Sequence, residues 1–270
     1  MKCHYINLDD ATGRRANLEA AYRAANPPAS WELVRIAASG PSAAVSLPGS
    51  ASLPEKACWL SHRRAIEASL DRDEAVLVVE DDVRFSPRTF PILAALAEAE
   101  TDWDILFTDV ILTDPGTMVA FARDWPQLGR AGNFRLHDLA TIPYVGAAGY
   151  VIRHAAKRKV LAALDTLPPF DRAYDVALSD LIHAGALVGR GCFPFLTAPS
   201  ADADASTIQP TPLQLREQMI NAFRRLMFAD RDLEASRRDI AALEAAHADP
   251  AAVLIGGVFG TMVASTLLEG

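Results

Sequence analysis

Three consecutive acids follow a short apolar run near the first third of the sequence. The run Ala75–Val79 is uninterrupted and rich in β-branched residues, and it ends in Glu80, Asp81 and Asp82. This pattern predicts a buried strand of a parallel sheet, and ligands of such sheets bind beyond the carboxyl ends of the strands. In an extended backbone, Glu80 and Asp82 point to one side and Asp81 to the other.

Two carboxylates at alternate positions are suited to a hard divalent cation. Oxygen atoms are the ligands that Mg²⁺ and Mn²⁺ prefer, and such an ion can neutralise a diphosphate. Glu80 and Asp82 are therefore the predicted metal ligands, with Mn²⁺ (or Mg²⁺) as the cofactor. The alternative is an exposed acidic turn after a strand, because adjacent charges are commonly solvated.

Composition restricts the class of protein. The chain has 270 residues, half of them hydrophobic, which is enough for one large core or two smaller ones. A formal net charge of −8 argues against a nucleic-acid partner. Three widely separated cysteines favour a reducing compartment, and the first residues lack the long apolar stretch of a secretory signal. The expected location is cytoplasmic, at the inner face of the cell membrane if the protein binds membrane peripherally.

Alternating apolar and amphipathic segments predict an α/β fold up to about residue 196. Asp114–Asn133 is expected to be irregular, a helix is expected to open over Pro168–Asp175 and to run to about Ala184, and Pro194 marks its strand as an edge strand. The other predicted strands are 3–8, 31–37, 75–83, 102–109, 141–152 and 187–195, and the other predicted helices are 14–26, 55–70, 86–100 and 154–164.

Several other residues are candidates for chemistry. A helix that opens with Arg14 could hold a nucleotide phosphate through its guanidinium group and the helix N–H groups. Cys58 and His62 are spaced for zinc, but no second ligand pair follows, so His62 is expected to line the site instead. Asp109 and Asp114 could join the site, although turn roles are the simpler interpretation.

The C-terminal part of the sequence differs in composition from the rest. A polar, proline-flanked linker at 199–212 precedes the stretch 213–247, which contains no glycine or proline. Large apolar residues repeat every seven positions there, which predicts one heptad helix over 213–247: Met219, Leu226, Leu233 and Ile240. The uncharged stretch 251–268 either packs on protein, including a second copy in a homodimer, or forms a short membrane anchor.

Taken in order, the motifs resemble glycosyltransferase family 25, the bacterial lipooligosaccharide glycosyltransferases related to collagen galactosyltransferases. The resemblance covers about residues 1–208. It rests on Ile6-Asn7-Leu8-Asp9 with Arg14-Arg15, Glu55 with Cys58 and Ser61-His62, Val79 to Val83 before Phe85, Trp103 to Leu106, Gly146 to Ile152, Asp171, and Ser206-Thr207-Ile208.

This resemblance implies a GT-A-like α/β fold with a mostly parallel sheet over 1–208, a UDP-sugar donor (UDP-galactose favoured), a divalent metal and inversion at the anomeric carbon. The predicted helical extension over 213–270 lies outside the resemblance. It identifies Glu80-Asp81-Asp82 as the counterpart of the Asp-x-Asp motif. The acceptor would be a cell-surface glycan or glycolipid such as lipooligosaccharide. The expected donor-binding residues are Asn7, Leu8, Arg14, Ser61, His62, Asp81 and Gly146.

An inverting displacement needs a carboxylate that takes the proton of the acceptor hydroxyl. Asp171, Asp175 and Asp180 are the candidates, with Asp171 placed first because a family block points to it and Asp175 placed second. The alternative function is a catalytically silent protein of the same fold that binds a nucleotide sugar or a partner and assembles through its C-terminal helices. Truncation after Pro212 is expected to leave an enzyme active and to deprive a scaffold of its partner.

Overall fold

The computed structural model describes residues 1–99, 102–204 and 214–246. Its centre is a sheet of seven strands in the order β2-β1-β3-β9-β5-β10-β7. These strands are β1 (Lys2–Asn7), β2 (Glu32–Ala37), β3 (Val76–Glu80), β5 (Ile105–Phe107), β7 (Arg135–Asp138), β9 (Gly149–Ile152) and β10 (Gly189–Phe193). Two short pairs complete the strands: β4 (Val83–Phe85) with β11 (Thr197–Pro199), and β6 (Ile111–Leu112) with β8 (Tyr144–Val145).

Most of the central sheet runs in one direction. The pairs β1–β2, β1–β3 and β5–β10 are parallel, whereas β9 is antiparallel to both β3 and β5, and β7 is antiparallel to β10. Five of the seven strands therefore share one direction. The predicted α/β class with a mostly parallel sheet is confirmed. In the β1–β3 register Ile6 lies opposite Glu80, so the polar ends of these two strands meet at one edge.

Helices cover both faces of this sheet. They are α1 (Thr12–Ala24), α2 (Leu53–Glu67), α3 (Thr89–Glu98), α4 (Pro115–Arg130), α5 (Lys157–Leu164) and α6 (Tyr174–His183). Alternate strand residues divide the core: Leu77 and Val79 pack with residues of α1 and α3, and Val76 and Val78 with residues of α2, α5 and α6. Burial on both faces explains why β3 is apolar at every position before Glu80.

Two predictions about secondary structure are wrong. The segment predicted to be irregular contains α4, which Asp114 caps by accepting the Thr117 N–H at 2.7 Å, with Pro115 in the first turn. Gly116, Pro126 and Gly129 obscure its helical pattern, although a capping Asp followed by Pro is a start signal. The strand expected at an edge is β10, which lies between β5 and β7, because Pro194 falls just after its last paired residue.

The predicted single helix over 213–247 is also wrong, since the structure has two helices, α7 (Gln214–Leu226) and α8 (Leu233–Ala246). Between them the chain pairs with Phe195, whose N–H donates to the Met227 carbonyl at 3.0 Å and whose carbonyl accepts the Ala229 N–H at 2.8 Å. These tertiary hydrogen bonds replace helical ones and end the helix.

The helix α7 packs into the core of the α/β domain through Phe223, Leu226 and neighbouring Met227. Within the described residues, none of the helices is both long and apolar enough to cross a membrane. The predicted apolar helix 251–268 and the block Ser206-Thr207-Ile208 lie outside the described residues.

Candidate active site

The sheet edge brings the first of the three acids against a buried histidine. Glu80 is the last residue of β3, and its backbone N–H donates to the Ala148 carbonyl at 2.8 Å. Its Oε1 lies 3.2 Å from Nε2 of His62, which α2 carries into the interior. Burial alone raises the pKa of Glu80, but this hydrogen bond from His62, with the charges of Arg224 and Arg14, brings that pKa below its ordinary value. Glu80 is therefore ionised at neutral pH.

Asp81 points away from Glu80 and holds the ends of β1 and α1 together. It accepts from Nδ2 of Asn7 at 2.6 Å and from Nη1 of Arg14 at 3.1 Å. The amide oxygen of Asn7 is in turn fixed by Arg15 at 3.0 Å and Arg35 at 3.1 Å. Asp81 thus orients two of the predicted donor-binding residues.

Asp82 has the least compensated charge of the three acids. Nη1 of Arg14 lies 3.8 Å from its carboxylate, beyond hydrogen-bond distance. Burial raises the pKa of Asp82 to about 7, and the carboxylates of Glu80 and Asp81 add to the effect, against the opposing charges of Arg14 and Arg224. The site therefore carries more negative charge than its arginines balance.

Two adjoining clefts open at this edge and share Arg14, Cys58, His62 and Glu80. We call the first the acidic cleft; it is also lined by Glu55, Asp82, Ile111, Gly146, Ala147, Ala148, Ala173, Tyr174, Asp175, Ala203, Glu217, Asn221 and Arg224. We call the second the apolar cleft; it is also lined by Ile6, Asn7, Leu8, Ala11, Ala38, Ser39, Pro41, Pro54, Ala57, Ser61 and Asp81.

Asp175 lies in the acidic cleft, and Asp171 lines neither cleft. The helix α6 begins at Tyr174, so the prediction that Asp171 lies on the same helix as Asp175 is wrong. Asp171 is exposed and accepts the Ser50 N–H at 3.1 Å, which joins two loops. Asp175 accepts the Gly146 N–H at 2.8 Å; burial raises its pKa, and this hydrogen bond opposes the rise. Asp180 pairs with Arg172 at the surface.

The helix α7 forms one wall of the acidic cleft. Glu217, Asn221 and Arg224 lie on one face of that helix and line the cleft. Arg224 donates to both carboxylate oxygens of Asp109, at 2.9 and 2.7 Å, and both side chains are buried. Sequence reasoning missed these residues because it treated α7 as part of a separate extension. The available signal was their spacing of four and then three positions, which places polar side chains on one face of a helix.

Part of the chain is similar to a known protein family. Residues 46–178 match the model of glycosyltransferase family 25, described as LPS biosynthesis proteins. We call residues 46–178 the family 25 segment. The predicted resemblance is confirmed, and the family 25 segment contains Cys58, His62, the three acids and Asp175. A search of curated proteins found no match.

Solved structures resemble the chain at low identity. An active-site mutant of LgtC is 12% identical with a TM-score of 0.41, covering 67% of this chain and 70% of that chain. The galactosyltransferase LgtC in complex with donor and acceptor sugar analogs is 11% identical with a TM-score of 0.38 and the same coverage, 67% and 70%. A nucleoside-diphosphate-sugar pyrophosphorylase from Vibrio cholerae RC9 is 10% identical with a TM-score of 0.34, covering 71% and 72%.

The remaining predicted donor-binding residues, Leu8, Ser61 and Gly146, line one or the other of the two clefts. Leu8 lines the apolar cleft, and so does Ser61, whose hydroxyl accepts the Ser39 N–H at 2.9 Å and tethers the loop after β2. Gly146 has a φ of +94° and a side chain there would meet Ile111, so the backbone requires glycine. Its N–H group is thereby available to Asp175.

The stability of the protein without divalent cations should fall as the pH rises through about 7. The folded state holds the proton of Asp82 up to that pH, whereas the unfolded state releases it near pH 4, so folding is favoured on the acid side of this window. We expect melting temperatures in EDTA to decrease from pH 5.5 to pH 8. The same scan of Asp82→Asn should be flatter, and an equal slope in both proteins would contradict this assignment.

Proposed function

We propose that this protein transfers a hexose, with UDP-galactose as the favoured donor, to a cell-surface glycan such as lipooligosaccharide, with inversion and with the help of a divalent metal. The observation that carries this proposal is the position of Glu80 and Asp82. They lie at the carboxyl edge of the sheet, in a cleft built largely by the family 25 segment. Such an edge is where open α/β sheets bind ligands.

The apolar cleft is the proposed place for the nucleoside end of the donor. Leu8, Ala38, Pro41 and Pro54 supply apolar walls, and Asn7 and Asp81 supply fixed polar groups. Ligand sites commonly combine an apolar lining with a few convergent polar groups. Because Arg14 lines both clefts, its guanidinium is positioned for the diphosphate between them.

The donor set fits Mn²⁺ or Mg²⁺. Burial and the charge of Glu80 raise the pKa of Asp82 to about 7, so the nearby guanidinium of Arg14 at 3.8 Å does not offset the negative charge around this carboxylate. Asp82 and Glu80 would hold the ion, which supplies Lewis-acid stabilisation of the leaving diphosphate when bound. Arg14 adds a fixed positive charge on the same side, and His62 keeps the Glu80 carboxylate oriented.

Asp175 is the proposed base. It faces the acidic cleft, and burial raises its pKa toward the working pH, which favours proton transfer from an acceptor hydroxyl. Its Oδ2 is held by the Gly146 N–H, so the carboxylate is fixed in orientation. The sugar-bearing acceptor would enter this cleft between α6 and α7.

Asp175→Asn should lower kcat by about 10²–10⁴-fold and leave the donor KM nearly unchanged, since asparagine keeps the acceptor atom for Gly146 but cannot take a proton. Asp171→Asn is the matched control, because Asp171 lies outside both clefts and should retain most of the activity. Steady-state transfer assays measure both variants. A large loss in Asp171→Asn with an active Asp175→Asn would reverse the assignment.

The donor is tested by the melting temperature of the full chain with a panel of nucleotide sugars, each with and without Mn²⁺. A bound donor stabilises the native state by mass action, so UDP-galactose with Mn²⁺ should raise the melting temperature most. The anomeric configuration of the product, read by NMR, tests inversion. A folded protein that responds to none of the donors would instead support the silent, partner-binding alternative.

A further inference from the structure

A second set of potential metal ligands lies where the two clefts meet. Cys58 and His62 are one turn apart on α2 and face the same way, toward Glu80 at the end of β3. One ligand atom from each residue, the Cys58 sulfur, an imidazole nitrogen of His62 and a carboxylate oxygen of Glu80, lies within 4.8 Å of the others. These three side chains form what we call the thiol triad.

The spacing of the thiol triad suits a tetrahedral ion. With metal–ligand bonds of about 2.0–2.3 Å, two ligands of one zinc ion are separated by roughly 3.3–3.8 Å. Nε2 of His62 and Oε1 of Glu80 are already 3.2 Å apart. Cys58 has to approach by at most about 1.5 Å, which a change in its side-chain torsion can provide.

The second ring nitrogen of His62 makes a hydrogen bond, as the second nitrogen of metal-binding histidines usually does. Nδ1 of His62 lies 3.0 Å from the hydroxyl of Tyr150, which also bonds the hydroxyl of Tyr174 at 3.0 Å. The ring of Tyr174 stacks on His62 at 4.4 Å and 9°. A hydrogen bond to the nitrogen that does not bind metal fixes the ring orientation, and the Tyr150 hydroxyl can accept from Nδ1 when Nε2 binds the ion.

We propose that Cys58, His62 and Glu80 bind a thiophilic divalent cation such as Zn²⁺, with the fourth coordination position open to the clefts. On binding, a sulfur–metal bond forms and the thiol proton leaves to solvent. A set of one thiolate, one imidazole and one carboxylate selects Zn²⁺ over Mn²⁺, because Mn²⁺ prefers oxygen ligands.

This site differs from the Glu80 and Asp82 pair by its sulfur ligand and shares Glu80 with it. Zn²⁺ in the triad therefore takes a carboxylate that the proposed Mn²⁺ site also uses, and the two ions compete. Binding of Zn²⁺ does not depend on the proposed sugar transfer, since its measurement needs no substrate. Failure of one proposal therefore leaves the other open to its own test.

The first experiment uses Co²⁺ as a spectroscopic probe of the full-length protein. A thiolate–cobalt charge-transfer band in the near ultraviolet should appear at one equivalent and disappear when Zn²⁺ is added. Cys58→Ser should lose the band and lower the Zn²⁺ affinity by at least about 100-fold, whereas Tyr150→Phe should lower it by about tenfold. Cys3→Ala, which changes a buried cysteine packed against the opposite face of the sheet, should keep the band.

The second experiment needs no variant, so it stands even if Cys58→Ser fails to fold. Cys58 is half-buried and lines both clefts, whereas Cys3 and Cys192 are buried, so an alkylating reagent should modify Cys58 first in the native protein. Zn²⁺ should slow that alkylation, as read by peptide mass spectrometry, and Mn²⁺ should not. Unchanged alkylation with saturating Zn²⁺, or a cobalt band that persists in Cys58→Ser, would overturn the proposal.

Discussion

Replacing Asp82 by asparagine should lower metal-dependent sugar transfer by at least about 10²–10³-fold. Asparagine has the shape of aspartate but no charge, so it removes a ligand of the proposed divalent ion without opening a cavity. Transfer assays over a range of Mn²⁺ concentrations are the measurement. Asp10→Asn, an exposed acid in the loop before α1, is the matched control and should leave the rate unchanged.

The same Asp82→Asn substitution should stabilise the protein in the absence of metal. At pH 8 the wild-type carboxylate is ionised although burial and Glu80 oppose its charge, and asparagine removes that cost, which is on the order of a few kcal/mol. The melting temperature in EDTA should therefore rise while activity falls. A variant that loses both stability and activity would show that Asp82 supports the fold rather than the chemistry.

Replacing Arg224 by alanine should destabilise the native state by about 3–5 kcal/mol, because it leaves the buried carboxylate of Asp109 without its partner. Urea unfolding measures the effect. Burial already raises the pKa of Asp109, and loss of the opposing charge should raise it further, so the destabilisation should shrink at acid pH. Arg237→Ala, which breaks an exposed pair with Glu234, should cost less than about 1 kcal/mol.

A double variant separates the effect of an unpaired buried charge from the effect of changed packing around Arg224 and Asp109. Arg224→Leu with Asp109→Leu replaces both charges by apolar groups, and it should recover much of the stability that Arg224→Ala loses. Its activity should stay low, since Arg224 and its neighbours form one wall of the acidic cleft. Stability losses that add without recovery would show that the two residues act independently.

The place of α7 also changes the expected result of truncation. The linker predicts that a chain ending after Pro212 keeps its activity. In the structure, α7 supplies Arg224 to the core, where it pairs with Asp109. Asn221 of the same helix donates to Asp204 at 3.2 Å. Asp204 belongs to a turn that also contains Asp202, whose carbonyl accepts from Arg14 at 2.8 Å. We therefore expect the truncated chain to be unstable and inactive, for an enzyme as well as for a scaffold.

Local patterns were sufficient for the central strand and its acids. The apolar run before Glu80 reflects burial of β3 on both faces, and alternation placed Glu80 and Asp82 in the acidic cleft and Asp81 toward Asn7. The order of motifs was sufficient for the family, since residues 46–178 match family 25. These features depend on residues that are close in sequence, so they can be identified without the tertiary structure.

The tertiary structure decided which distant residues share the clefts. Asp171 and Asp175 are close in sequence, yet a loop contact with Ser50 turns Asp171 away while α6 carries Asp175 inward. Arg224 lies 115 positions from Asp109 and reaches it because α7 packs on the domain, where the chain that follows α7 pairs with Phe195. The sequence by itself determined the strand, its acids and the family. The partners of those acids follow from long-range packing, whose contacts have no local periodicity.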